Sequence, residues 1–136
     1  MLVVDASAVT ELLLGRPAGD SVAQELREHR FQLHAPHLLD VEVLSALRSV
    51  VAAGEATPAR AEEAVADLMD LPVERYGHDG LTPRVWQLRE NFSAYDATYL
   101  ALAEAITDDG APLLTADARL ARATAAHTTV RVVLAR

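Results

Sequence analysis

Five short apolar runs, each separated from the next by helical sequence, restrict this chain to a narrow set of folds. They occupy residues 2–4, 31–35, 71–76, 112–115 and 130–134. Runs this short and continuous read as strands buried on both faces, and helical connections between them favour a parallel sheet covered on each side. The intervening helices are expected at residues 7–14, 21–29, 37–53, 58–69, 83–90, 93–106 and 116–125. The third has Leu39, Val43, Leu47 and Val50 at three- and four-residue spacing and stops at Gly54. The fourth opens on Thr57-Pro58, a hydroxyl cap followed by proline at the first helical position, and Thr82-Pro83 repeats that signal. Its apolar side is read as Ala61, Val65, Leu68 and Met69. No linker, repeat or low-complexity stretch divides the 136 residues, so residues 1–136 form a single α/β domain.

Composition removes several function classes. The chain has no cysteine, which excludes disulfide scaffolds, zinc–thiolate sites and thiol nucleophiles. At 51% apolar and 24% charged residues it is not a disordered segment. Asp5 interrupts the first apolar run and no run approaches a membrane span, so a soluble, cytoplasmic protein without a leader is expected. All twelve bases are arginine, against twenty acids, for a formal charge of -8. That balance argues against a broad non-specific nucleic-acid surface, which needs clustered positive charge.

Four of the acids stand apart from solvated helix faces. Asp5 follows the first strand and precedes a helix, the position of the carboxyl-end crevice of a parallel sheet. It reads equally as a carboxylate that satisfies amide donors at a helix start, beside Ser7. Glu42 has Leu38, Leu39, Val41, Val43 and Leu44 around it and either reaches out along a helix edge or is held inward by a partner. Asp96 sits in Ser93-Ala94-Tyr95-Asp96, the spacing of a capping box. Asp117 lies two residues beyond the fourth strand, where Thr115 is expected to cap and Asp117 to be a first-turn acid.

These acids fall at places where a doubly covered sheet can bring distant segments together. Two such charges about 5 Å apart repel by roughly 3 kcal/mol at an effective dielectric near 20. A fold keeps such a cluster if a cation fills it. With no cysteine, and no histidine pair at ligand spacing beside the acids, the oxygen-rich set points to Mg²⁺ or Mn²⁺. Ser7 and Thr115 could support the carboxylates with their hydroxyls.

The segments Val3-Val4-Asp5-Ala6-Ser7-Ala8, Asp40-Val41-Glu42-Val43-Leu44, Ser93-Ala94-Tyr95-Asp96-Ala97 and Leu114-Thr115-Ala116-Asp117-Ala118-Arg119-Leu120 together resemble the PIN-domain nucleases. The nearest likeness is to the VapC toxins of type II toxin–antitoxin modules, and it spans residues 2 to about 133. The resemblance implies a three-layer α/β/α sandwich with a five-stranded parallel sheet in the order 3-2-1-4-5. It implies that Asp5, Glu42, Asp96 and Asp117 are the catalytic acids, with Asp5, Asp96 and Asp117 holding Mg²⁺ or Mn²⁺ and Ser7 and Thr115 behind them. It further implies an endoribonuclease acting on single-stranded regions of tRNA or ribosomal RNA, a homodimer, and inhibition by a VapB-like antitoxin.

On that reading, the metal activates a water and neutralises the scissile phosphate, and Glu42 orients the water or completes a second metal position. Attack by water leaves a 5′-phosphate and a 3′-hydroxyl. Arg16, Arg84, Arg89 and Arg119 are the candidate phosphate contacts by loop position. Trp86 is read as a core or dimer-interface anchor rather than a base-stacking platform, and Asp40 as facing solvent or an arginine. A receiver-type signalling domain is excluded because the chain has no lysine for its late strand, and a haloacid-dehalogenase-type phosphatase because Ser7 stands where a second aspartate is needed. The remaining alternative is a non-catalytic regulatory or interaction domain of the same fold.

Overall fold

The structure is a computed structural model and describes residues 1–136. In chain order it comprises β1 (Leu2–Val4), α1 (Ala6–Leu13), α2 (Pro17–Glu28), β2 (Leu33–Pro36), α3 (Leu38–Ala52), α4 (Pro58–Asp70) and β3 (Val73–Tyr76). A 3₁₀ turn (Asp79–Leu81), α5 (Thr82–Gln87), α6 (Ala94–Ala105), β4 (Leu113–Thr115), α7 (Ala118–His127) and β5 (Val132–Leu134) complete it. The five strands form one sheet in the order β3-β2-β1-β4-β5, and every pair is parallel. Helices α1 to α4 pack together, α6 crosses β1, β2 and β4 with α5 against it, and α7 covers β4 and β5. This is the expected α/β/α sandwich.

Strand β1 is fully buried at the centre. Its two neighbours are reached by connections that leave in opposite directions, β2 early in the chain and β4 late. The carboxyl ends of β1 and β4 therefore flank a topological switch point, the place where an open parallel sheet forms a crevice. Helix α6 lines the core with an unbroken buried run from Ala97 to Ala103. Its burial on all sides explains why its apolar residues show no helical stripe. Gly15 (φ +64°) turns the chain out of α1, and a Cβ on Gly19 would lie 2.6 Å from the Glu11 carbonyl oxygen, so α2 is pressed against α1 backbone to side.

Local expectations shift in several places. Helix α2 begins at Pro17, which serves as its first residue rather than ending α1, and α5 stops at Gln87 rather than Glu90. Phe31 is not in β2: Arg30 and Phe31 adopt positive φ (53° and 54°), and the Phe31 amide donates back to the Leu26 carbonyl, closing α2 and leaving the ring exposed. Thr82 does not cap α5; it lies inside the helix, and its hydroxyl donates to the His78 carbonyl because the 3₁₀ turn already leads in. The buried face of α4 is Ala64 and Leu68, with Met69 exposed. Trp86 is 66% exposed, which overturns the core reading, and Arg89 stacks 4.5 Å above its ring. Asp40 meets an arginine as anticipated, in a bidentate pair with Arg75 at 2.7 and 2.9 Å.

Candidate active site

The sequence leaves Val4 with a carboxylate as the first residue off the sheet, and the fold uses it twice. Asp5 is the N-cap of α1 and is 5% exposed. Its Oδ1 accepts from the Ala8 amide (3.0 Å) and the Ser7 hydroxyl (2.7 Å), while Oδ2 accepts from the Thr115 hydroxyl (2.6 Å). Thr115, fully buried at the end of β4, also accepts from the Asp117 amide (3.0 Å), and Ser7 Oγ accepts from the Ala116 amide (2.9 Å). Residues 110 positions apart are thus laced across the switch point. Burial pushes the Asp5 carboxyl up to about 6; the three hydrogen bonds hold it down and the negative charge of Asp117 adds to the rise.

Asp117, not Thr115, caps α7, with Oδ1 accepting from the Arg119 and Leu120 amides at 2.9 and 3.2 Å. Thr115 Oγ1 accepts only from the Asp117 amide, ahead of the helix, which leaves the first helical amides to the Asp117 carboxylate. Ser93 caps α6 through the Asp96 amide at 3.1 Å, as the capping-box spacing predicts. The Asp96 carboxylate instead meets Arg119, whose Nη2 lies 3.0 Å from Asp96 Oδ2 and 3.3 Å from Asp117 Oδ2. One exposed guanidinium therefore ties together two of the four acids.

Glu42 projects from α3 toward α6. It is half-buried, its Oε1 is buried without a hydrogen-bond partner, and desolvation raises its pKa, with the charge of Asp96 contributing. Tyr99, one turn after Asp96, lies against it. The pKa of the Tyr99 hydroxyl is raised far above its usual value, first by burial and then by Glu42 and Asp5. Yet neither Tyr99 Oη nor Glu42 Oε1 completes a hydrogen bond of normal geometry. Thr10, buried and likewise without a partner for its hydroxyl, shares with Ser7, Glu11, Arg16 and Glu42 a cavity of about 350 Å³ between α1 and α3.

The four acids thus feel one another around one sheet edge: Asp5 with Asp117, Glu42 with Asp96, and Tyr99 between Asp5 and Glu42. As the side chains stand, no three acids or histidines converge at a distance that would hold a metal ion. Of the four arginines expected near phosphates, Arg16 rims the cavity, paired with Glu11 and Glu55, and Arg119 bridges the acids. Arg84 is engaged bidentately by Glu104 and Arg89 lies over Trp86. Sequence reasoning missed Tyr99 and Thr10 as site residues. The available signal was spacing: Tyr99 is i+3 from Asp96 and Thr10 is i+3 from Ser7.

A family model described as "PIN domain" matches residues 2–126. The chain belongs to the PIN-domain family. Among curated relatives, Ribonuclease VapC12 of Mycobacterium tuberculosis is 41% identical over 122 residues, covering 90% of this chain and 91% of that protein. Ribonuclease VapC1 of the same organism is 44% identical over 122 residues, covering 89% of each. VapC ribonuclease Mb0985 of Mycobacterium bovis is 41% identical over 133 residues, 98% of each. These matches put the chain among the VapC-type PIN domains. The crystal structure of PAE2754 from Pyrobaculum aerophilum shares the fold at a TM-score of 0.70 and 23% identity, covering 96% of this chain and 81% of that one. No helix of this PIN domain is long and apolar enough to cross a membrane.

Proposed function

We propose that this PIN domain is the toxin of a type II toxin–antitoxin pair, a Mg²⁺- or Mn²⁺-dependent endoribonuclease that cuts single-stranded regions of tRNA or ribosomal RNA. The observation that carries the reading is the gathering of Asp5, Glu42, Asp96 and Asp117 around the switch point, in a chain similar along nearly its whole length to proteins named ribonucleases. It also disfavours a non-catalytic role, because a fold without chemistry gains little from a half-buried glutamate whose buried oxygen makes no hydrogen bond of normal geometry.

The donors fit a hard dication in kind: all are carboxylate or hydroxyl oxygens, Glu42 Oε1 is buried without a hydrogen bond of normal geometry, and Asp96 and Asp117 already attract a cationic group. Asp5, Asp96 and Asp117 would hold the ion, after Arg119 releases the last two. When bound, such an ion supplies charge neutralisation at the scissile phosphate and makes an attacking water more acidic. Ser7 and Thr115 fix the orientation of Asp5, so its carboxylate enters the reaction already aimed. Glu42, with its raised pKa, orients the attacking water from the α3 side. Arg119, once released, turns from the acids toward a phosphate. The products of such a displacement carry 5′-phosphate and 3′-hydroxyl ends.

Purified protein incubated with total RNA, with and without Mn²⁺, followed by mapping of the cut ends, tests this reading. Cleavage that requires the ion and leaves 5′-phosphates supports it; 2′,3′-cyclic ends or ion-independent cutting sinks it. Calorimetric titration with Mn²⁺ separates the ligand assignment, because Asp96→Asn should weaken binding at least tenfold. Equal affinity in the variant would remove Asp96 from the ligand set.

The partners belong to the same proposal. The exposed Met69 on α4 and Trp86 on α5 support a homodimer through those helices, and sedimentation at micromolar concentration giving only a 14.6 kDa species would count against it. A groove of about 540 Å³ along α3, lined by Leu38, Val41, Ala46 and Tyr95 and reaching Glu42, suits an antitoxin segment that is apolar with one basic side chain. Replacing that basic residue with alanine in the antitoxin should restore RNA cleavage while the complex persists.

A further inference from the structure

A second groove, of about 670 Å³, runs between α7 and β5 on the far side of the switch point from α3. Its floor is made of methyl groups, from Ala118, Ala121 and Ala125 of α7 and Leu134 of β5, and two arginines, Arg122 and Arg136, stand along it. Neither arginine makes an ion pair, whereas Arg16, Arg60, Arg75, Arg84 and Arg119 each do. Arg27, Arg30, Arg48, Arg89 and Arg131 are also without ion pairs, but of these unpaired arginines only Arg122 and Arg136 line a groove that adjoins the site, which makes it a locally positive strip beside the acids.

The groove is attached to the site. Thr115 is in register with Leu134, and the Ala135 amide donates to the Thr115 carbonyl at 2.8 Å, so the end of β5 lies level with Asp117. Ala116 lines both this groove and the cavity that holds Ser7 and Glu42. No Asp or Glu side chain lines the groove. The side chains of its floor offer neither donors nor acceptors to base edges. It is suited to a sugar face, with guanidiniums for the phosphates, the pattern of backbone contact rather than base reading.

We infer that the α7–β5 groove binds the ribose-phosphate backbone of the single-stranded RNA flanking the bond that is cut, with Arg122 and Arg136 on consecutive phosphates. The inference rests on the ribonuclease reading and adds to it the path of the substrate. It explains how a chain of charge -8 holds a polyanion: attraction is confined to a strip leading out of the site.

The test is fluorescence anisotropy of the full chain with a fluorescein-labelled single-stranded RNA oligonucleotide in EDTA, over a series of salt concentrations. Arg122→Ala should weaken binding roughly three- to tenfold and lower the slope of log Kd against log salt by about 0.7, the value for one phosphate contact on a single strand. The double variant with Arg136→Ala should lower the slope about twice as far. Arg131→Ala, the same charge change at the amino-terminal edge of the sheet, should leave the slope where it was. Ala125→Glu keeps both arginines but puts bulk and negative charge at an exposed position on the floor, and should weaken binding as well. Wild-type affinity in both Arg122→Ala and Ala125→Glu, while the wild type binds and cleaves RNA, would overturn the inference, leave the ribonuclease reading standing and assign the groove to a protein partner. An equal loss in Arg131→Ala would overturn it in favour of general charge attraction. Failure of the wild type both to bind and to cleave RNA would overturn the reading itself.

Discussion

Replacing Asp5 with asparagine in the metal-free protein should stabilise it at neutral pH, although Asp5 caps a helix and sits in three hydrogen bonds. The carboxyl has its pKa pushed up from 3.8 to about 6, so the folded protein binds its proton more tightly than the unfolded chain does. Below about pH 3 both states are protonated and the group contributes nothing to the pH dependence. As pH rises from about 3 to about 6 the unfolded state ionises first, and stability falls by up to about 3 kcal/mol for a shift of roughly two units. Above that window the whole penalty is present. Asparagine keeps the Oδ1 acceptor for Ser7 and Ala8 and presents an amide to Thr115, whose hydroxyl can then donate to Ser7 Oγ, 3.2 Å away. Loss of the short Thr115 bond to a charged acceptor offsets about 1 kcal/mol. The net expectation is a gain of about 1–3 kcal/mol at pH 7.5, shrinking to zero or a slight loss at pH 4. Urea unfolding in EDTA, followed by circular dichroism across that range, reads it as a midpoint shift at constant m-value. A variant less stable than the wild type at pH 7.5, or a difference that does not change with pH, would show that Asp5 is a net structural cap and that the desolvation argument is wrong.

Two further outcomes follow from the packing. Tyr99→Phe removes a buried hydroxyl that lies against Glu42 without a hydrogen bond of normal geometry, so stability should be unchanged or rise by about 1 kcal/mol on chemical denaturation; a loss of 2 kcal/mol or more would mean the hydroxyl is held by Glu42. Gly19→Ala would place a Cβ 2.6 Å from the Glu11 carbonyl oxygen, a backbone atom that cannot yield without moving α1, and should cost about 1–3 kcal/mol by the same measurement, with near-wild-type stability refuting the close approach of α1 and α2.

The elements that were legible share one property: their signals are local. Five continuous apolar runs and the cap at Thr57-Pro58 are read within a few residues, and the structure places a strand at each run and the cap where it belongs. The misread places are those where a neighbour decides. Phe31 has the apolar, aromatic character of a strand residue, but the Leu26 carbonyl needs a donor to close α2, and that need turns the chain before β2 begins. Thr115 has the chemistry of an N-cap, but its hydroxyl is turned to donate to Asp5, more than a hundred residues earlier, and accepts only from the Asp117 amide ahead of α7. Tyr99 lies in a helix buried on every side, so no stripe separates a residue facing the site from one facing the core. The guanidinium bridge from Arg119 to Asp96 joins two helices whose contact no periodicity reports.

The places of the four acids in the fold were legible for a different reason, which also bears on the choice between capping and function. In a parallel sheet each strand runs into its helix at the carboxyl edge, so the residue that caps the helix is also the residue that faces the crevice. Asp5 and Asp117 are both N-caps, each accepting from first-turn amides, and both lie at the switch point. Asp96 is in the first turn of its helix, where the same partial positive charge of the helix start favours a carboxylate. Capping therefore does not compete with a site at these positions; the helix starts lower the cost of assembling negative charge there. Glu42 is the exception, an acid in a helix interior with no amide to satisfy. It is also the acid left with a buried oxygen that makes no hydrogen bond of normal geometry, so helix capping does not account for its presence as it does for the other three.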